Sequence, residues 1–172
     1  MNVQTEIFLA DTNIFIEPFK TFYPTDFAPQ YWSFLEYELK NGTIKLLDKV
    51  RAEVKAKGLK EWLVGVKGVA VIKSGDNSIL ENLGNILDHL QNAGLYTDNA
   101  LTEWSKNEVA DPWIIATAMA KDYTVVTLEQ PNRNLGKGGL IKEAKVPDVC
   151  KHFDVPYIDL YTMLRRLKFT FG

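Results

Sequence analysis

Residues 7–13, Ile-Phe-Leu-Ala-Asp-Thr-Asn, run apolar for four positions and then stop at a carboxylate. An apolar run without polar alternation suits a strand covered on both faces, and two-sided burial belongs to parallel sheets coated by their crossover helices. Residues 7–10 are therefore expected to form the central strand of an α/β fold. Two similar runs follow at residues 44–47 (Ile-Lys-Leu-Leu) and 124–128 (Thr-Val-Val-Thr-Leu), with a short edge strand expected at 157–158.

Helical periodicity fills the intervals. Trp32, Leu35 and Leu39 lie on one face, and Asn41-Gly42 supplies a left-handed stop. Ile79, Leu80, Leu83, Ile86, Leu87 and Leu90 trace a second face that Gly94 closes. Asp111-Pro112 opens a third helix burying Ile114, Ile115, Ala118 and Met119, with Asp111 expected at the capping position. Shorter helices are expected at 48–58 (capped by Asp48, with Val50 and Val54 inward), 59–68, 99–107, 146–153 and 160–167. Residues 69–72 read as a strand or an extended connector, and the segment holding Pro18, Pro24 and Pro29 as an aromatic loop. The alternation predicts a three-layer α/β/α sandwich with a mainly parallel central sheet and right-handed crossovers.

At 172 residues and 46% hydrophobic content the chain can bury one good core. It shows no repeat, linker or low-complexity tract, so residues 1–172 are expected to be a single domain. Twenty Lys and Arg against 22 Asp and Glu exert no global pull toward nucleic acid or anionic membrane, so any basic surface must be local. A lone cysteine, Cys150, excludes an intrachain disulfide and fits a reducing, cytoplasmic setting. The start MNVQTEIFL reads as the approach to the first strand, not as a secretory leader. The longest apolar stretch, residues 62–72, is broken by Gly65, Lys67 and Gly68 and cannot span a bilayer.

Four acids from distant positions fall where predicted elements begin or end: Asp11, Glu53, Asp111 and Glu129. Strand ends on one edge of a parallel sheet converge, so these carboxylates are expected to meet there. Uncompensated, they would repel one another and raise each other's pKa values; divalent cations remove that penalty. Asp11 and Asn13 could also form a plain Asx turn, and Asp111 a plain cap; the conjunction of four points to a metal site. A phosphoaspartate enzyme would want an acid at position 13, where Asn13 stands. Gly136-Lys137-Gly138-Gly139 lacks the Lys-Ser/Thr pair of a phosphate-binding P-loop.

In their order and context these segments resemble the PIN-domain nucleases, within them a bacterial branch similar to the VapC-like toxin ribonucleases of toxin–antitoxin modules. The resemblance rests on ADTNIFI, on Val50-x-x-Glu53, on ADPWIIATAMAKDYTVVTLE and on the closing PYIDLYTMLRRL, and covers most of the chain. It implies a PIN-like fold and a Mg²⁺- or Mn²⁺-dependent endoribonuclease. The metal ligands and catalytic residues would be Asp11, Glu53, Asp111 and Glu129, the last standing where PIN proteins more often carry Asp or Asn. Asp11 and Asp111 would anchor the ions, Glu53 and Glu129 would complete the shell or position water, and Thr12, Asn13 and Thr127 would orient the ligands. His89 and His152 are not needed.

RNA would require a positive track. Arg133, Lys137, Lys142 and Lys145, opposed only by Glu143, offer one in the glycine-rich loop, and Arg165, Arg166 and Lys168 add to it in the tail. Phe15, Tyr23 and Trp113 are candidates for stacking bases. The resemblance further implies a protein antitoxin and a homodimer as partners. The competing expectation is a PIN-like binding module that keeps the acids without catalysis and acts through a protein or RNA partner.

Overall fold

The computed structural model describes residues 6–172, so residues 1–5 of the expected approach to the first strand lie outside it. Five parallel strands form the central sheet: β1 (Phe8–Ala10), β2 (Ile44–Leu47), β3 (Val71–Ile72), β4 (Thr124–Val126) and β5 (Tyr157–Ile158). Their spatial order is β3-β2-β1-β4-β5. As the apolar run demands, β1 is central: Leu9 stands in register with Lys45 on one side and Val125 on the other. All three residues of β1 and all three of β4 are buried, which needs helices on both faces of the sheet. The expected α/β/α architecture is the one observed.

The nine helices among the described residues are α1 (Asn13–Glu17), α2 (Pro29–Asn41), α3 (Asp48–Glu53), α4 (Lys57–Gly65), α5 (Asn77–Asn92), α6 (Asp98–Trp104), α7 (Asp111–Lys121), α8 (Val146–His152) and α9 (Leu160–Arg166). Gly42 takes φ 77° and ends α2 as its sequence anticipates. The innermost helix is α7, buried continuously from Pro112 to Ala118, with α5 packed along it and α8 beside it.

Three local expectations fail for identifiable reasons. The aromatic loop after β1 is helical instead: α1 begins at once and continues into a wide turn, Pro18–Phe22, in which Tyr23 N–H donates to Pro18 O at 2.8 Å. Burial of Ile14 and Phe15, with Tyr31 Oη donating to Ile14 O at 2.8 Å and Trp32 Nε1 to Tyr23 O at 2.7 Å, outweighs the proline signal. Asp48 does not cap α3. The chain passes from β2 straight into the helix, so Asp48 is its first residue, and one carboxylate oxygen accepts from Ser74 N–H at 3.2 Å. That helix also stops at Glu53 rather than near Gly58, because Val54 turns extended and sinks into the core.

The strand order reverses between β1 and β4. A crevice opens there beyond the C-terminal ends of the strands, where open α/β sheets place ligands.

Candidate metal centre

Asp11 follows β1 directly, and its main-chain N–H still belongs to the sheet, donating to Val126 O at 3.0 Å. Its side chain is 3% exposed. One carboxylate oxygen, Oδ2, accepts from Thr127 Oγ1 at 2.6 Å and from Asn13 Nδ2 at 2.6 Å. Thr127 follows β4, so the two strands at the reversal point are laced together through that oxygen. The amide of Asn13 completes the lacing: Nδ2 also donates to Thr127 Oγ1 at 3.0 Å, and Oδ1 accepts from Leu128 N–H at 2.9 Å.

Glu53 comes from the C-terminal end of α3. Its Oε2 accepts from the Thr12 hydroxyl, and its Oε1 accepts from Ala110 N–H at 2.7 Å. Ala110 occupies the capping position of α7, and Asp111 is the first helical residue, not the cap the sequence suggests. Glu53 thereby satisfies the Ala110 N–H at the start of α7. The carboxylate of Asp111 accepts no hydrogen bond among the described residues. Glu129 lies two residues beyond Thr127; its Oε2 accepts from Val146 N–H at the start of α8 at 2.8 Å, and its Oε1 lies 3.4 Å from Lys145 Nζ.

Asp11 and Asp111 sense the charges of the acids around them. Burial pushes the pKa of Asp11 up to about 7; the Thr127 hydrogen bond opposes the rise, and the charges of Glu129 and Glu53 add to it. Burial likewise lifts Asp111 to about 8, followed by repulsion from Asp11, Glu129 and Glu53, with Lys145 opposing. Asp11, buried, and Asp111, half-buried, are thus held near the point of refusing their charge at neutral pH. Beneath them the Cys150 thiol, raised first by burial, is raised further by Asp11 and Glu129.

A hard divalent cation fits this donor set, which is all oxygen, anionic and short of internal positive charge. Among the described residues, however, no group of three or more His, Cys, Asp or Glu side chains stands so as to hold one metal ion. Asp111 and the second oxygen of Asp11 are the groups left free of side-chain partners; Glu53 and Glu129 are fastened to helix N-termini. A cleft of about 440 Å³ opens beside Glu53 and Asp111 and is walled by Trp104, Asn99, Lys142 and Glu143. A second, of about 370 Å³, lies on the other side, against Thr127, Glu129, Gln130 and Tyr157.

The basic residues divide. Arg133, Lys137 and Lys142 are exposed and make no ion pair among the described residues. Lys145 instead turns inward to Glu129 and Glu143, the latter at 2.9 Å; hydrogen bonding to Glu143 and the charge of Glu129 outweigh burial and hold its pKa above the ordinary lysine value. In the tail, Arg166 pairs with Glu6 at 2.6 Å, while Arg165 and Lys168 are exposed. Of the aromatic candidates, Phe15 is fully buried and Trp113 is covered by Lys49, whose Nζ sits 4.2 Å from the ring centroid. Neither can stack a base as it stands; Tyr23, half-buried, packs against Phe22, Tyr31 and Phe171. His89 and His152 stack on each other with centroids 3.5 Å apart, and neither enters the hydrogen bonding of the acids. The sequence reading missed Glu143 as a partner of Lys145; the signal available was an acid two residues before a lysine inside an otherwise basic loop.

Residues 8–171 match the family described as a domain of unknown function, DUF4411. No curated protein matches the sequence. Among solved structures, the chain is similar to one in the crystal structure of VapBC2 from Rickettsia felis bound to a DNA fragment from their promoter. Identity is 19%, the TM-score is 0.51, and the match covers 89% of this chain and 98% of that one. Likeness at that level is a likeness of fold, and the fold is PIN-like.

Proposed function

We propose, from the premise that this chain belongs to the DUF4411 family and carries a PIN-like fold, that it is a divalent-metal-dependent nuclease hydrolysing RNA phosphodiesters. The observation that supports this most is the crowding of Asp11, Asp111, Glu53 and Glu129 at the strand-order reversal, with Asp11 and Asp111 driven to about 7 and 8 by burial and mutual charge. A fold does not retain such repulsion without a ligand that relieves it. Mg²⁺ or Mn²⁺ would be held by Asp11 and Asp111, with Glu53 and Glu129 close by, and would supply Lewis acidity and an activated water.

The chain's own groups have definite tasks. Thr127 and Asn13 fix the rotamer of Asp11 by holding one of its oxygens, and the other has no side-chain partner among the described residues. Thr12 and Ala110 N–H hold Glu53, so the start of α7, and with it Asp111, is tied to the β1 turn. The exposed Arg133, Lys137 and Lys142 would attract the phosphate backbone to the clefts flanking the acids. By its likeness to a VapBC2 chain the protein would be the toxin of a toxin–antitoxin pair, a single domain acting in the cytoplasm as a homodimer and restrained by a protein antitoxin.

One observation favours a second reading. Glu53 and Glu129 are already occupied by backbone N–H groups, and no group of three or more His, Cys, Asp or Glu among the described residues stands so as to hold one metal ion, as a binding module without catalysis would have it. Cleavage of a panel of RNA and single-stranded DNA separates the two. The nuclease cuts RNA with Mn²⁺, loses activity with chelator and loses it in Asp11→Asn. Cleavage that persists in both, or no cleavage of any substrate while RNA is still bound, defeats it.

A further inference from the structure

The loop after Glu129 brings one cation back to the acids. Lys145 Nζ lies 3.4 Å from Glu129 Oε1 and 2.9 Å from Glu143 Oε2, on a side chain 25% exposed. The next residue grips the same carboxylate, Val146 N–H donating to Glu129 Oε2 at 2.8 Å, so main chain and side chain together hold Glu129. The loop carrying Lys145 is itself anchored: Ile141 N–H donates to Leu95 O at 2.7 Å, Thr97 N–H donates to Ile141 O at 3.0 Å, and Asp148 accepts from Asn132 N–H at 3.0 Å. Lys145 is therefore presented to the acids by a docked segment, unlike the exposed Lys137 and Lys142.

The two partners of Lys145 border different clefts. Glu143 faces the one that holds Glu53 and Asp111, and Glu129 the one that holds Thr127. The ammonium thus pairs with one acid from the lining of each cleft. A divalent cation drawing on Glu129 would come within a few ångströms of a like charge, and the two cannot both keep that carboxylate cheaply.

We propose that Lys145 is the resident counter-cation of the acidic centre, held on Glu129 and Glu143 until a divalent cation displaces it, and that this exchange sets the metal concentration at which the centre loads. The inference rests on the metal-centre reading above and adds a competitor that belongs to the chain itself. Once displaced, the ammonium is free beside the cleft already flanked by Lys142.

Titration of Mn²⁺ alone into the full chain, followed by calorimetry and by the electron-paramagnetic-resonance signal of free Mn²⁺, tests the exchange. Lys145→Met should bind Mn²⁺ about 5-fold more tightly than wild type, the scale of a partly exposed ion pair, and should melt lower without metal. Lys145→Arg should stay near the wild-type affinity. Lys151→Met, which removes the same charge from the exposed face of α8, should leave it unchanged. Should Lys145→Met not fold, Glu143→Gln, which frees one of the two anchors, should tighten Mn²⁺ binding in the same direction by about 2-fold. Unchanged or weaker binding in the Lys145 or Glu143 variants, with wild type still binding Mn²⁺, overturns the exchange alone. Failure of folded wild type to take up Mn²⁺ at all overturns the metal centre and the exchange with it.

Discussion

The acidic crevice and the aromatic nest around α2 are built on opposite principles. In the nest, Tyr31 and Trp32 are buried, each places its polar atom on a main-chain carbonyl, and Tyr23, Phe34, Trp62, Phe169 and Phe171 pack edge to face or tilted around them. Nothing there asks for a further partner. At the crevice, buried Asp11 and half-buried Asp111 lie beside like charges; the Thr127 hydrogen bond opposes the rise of Asp11, and Lys145 that of Asp111. Where a chain satisfies every buried polar group it is building stability; under the proposed function, the unsettled charge at the crevice is the place of a ligand.

The sharpest contrast comes from removing one group on each side. Trp32→Ala should cost about 3–5 kcal/mol in urea denaturation, by lost burial and a cavity. Its loss should be the same with and without Mn²⁺. A Mn²⁺-dependent loss would mean that the nest and the crevice are coupled.

Thr127→Val keeps shape but removes the hydroxyl that donates to Asp11 Oδ2 and accepts from Asn13 Nδ2 and Glu129 N–H. Metal affinity and RNA cleavage should fall about 10–100-fold, the usual cost of losing a group that orients a ligand. Wild-type Mn²⁺ affinity in this variant would show that Asp11 needs no such support.

A separate effect is expected from pH. Asp11 and Asp111 keep their protons in the folded protein up to about 7 and 8 but lose them near 3.8 when unfolded. Across that window the folded state binds more protons, so metal-free stability should fall as pH rises from about 4 to 8 and then level off. Mn²⁺ should flatten the fall. A metal-free melting temperature that rises over this interval would contradict the shifts.

Much of this arrangement could be read in the chain itself. The unbroken apolar run before Asp11 marks the central strand because only two-sided burial tolerates it, and Gly42 ends α2 because a left-handed residue was needed there. The convergence of the acids follows from parallel topology. Long-range fastening is what local patterns do not carry. Nothing around residue 53 announces that Glu53 will hold the Ala110 N–H at the start of α7, and nothing in the basic loop shows that Ile141 will dock beside Tyr96 and turn Lys145 inward. Proline spacing misleads after β1, since aromatic burial decides that segment. Phe15 and Trp113 look like surface rings by their nearness to the acids in sequence, yet packing and Lys49 cover them.

The central claim is that the crevice is a frustrated acidic centre relieved by a divalent cation. Melting temperatures of wild type and Asp111→Asn at pH 8, each with chelator and with Mn²⁺, test it most directly. With chelator, Asp111→Asn should melt a few degrees above wild type, about 2–4 °C for each kcal/mol of relieved repulsion in a chain of this size. With Mn²⁺, wild type should gain and Asp111→Asn should not. Identical curves for the two proteins, unmoved by the metal, would contradict it.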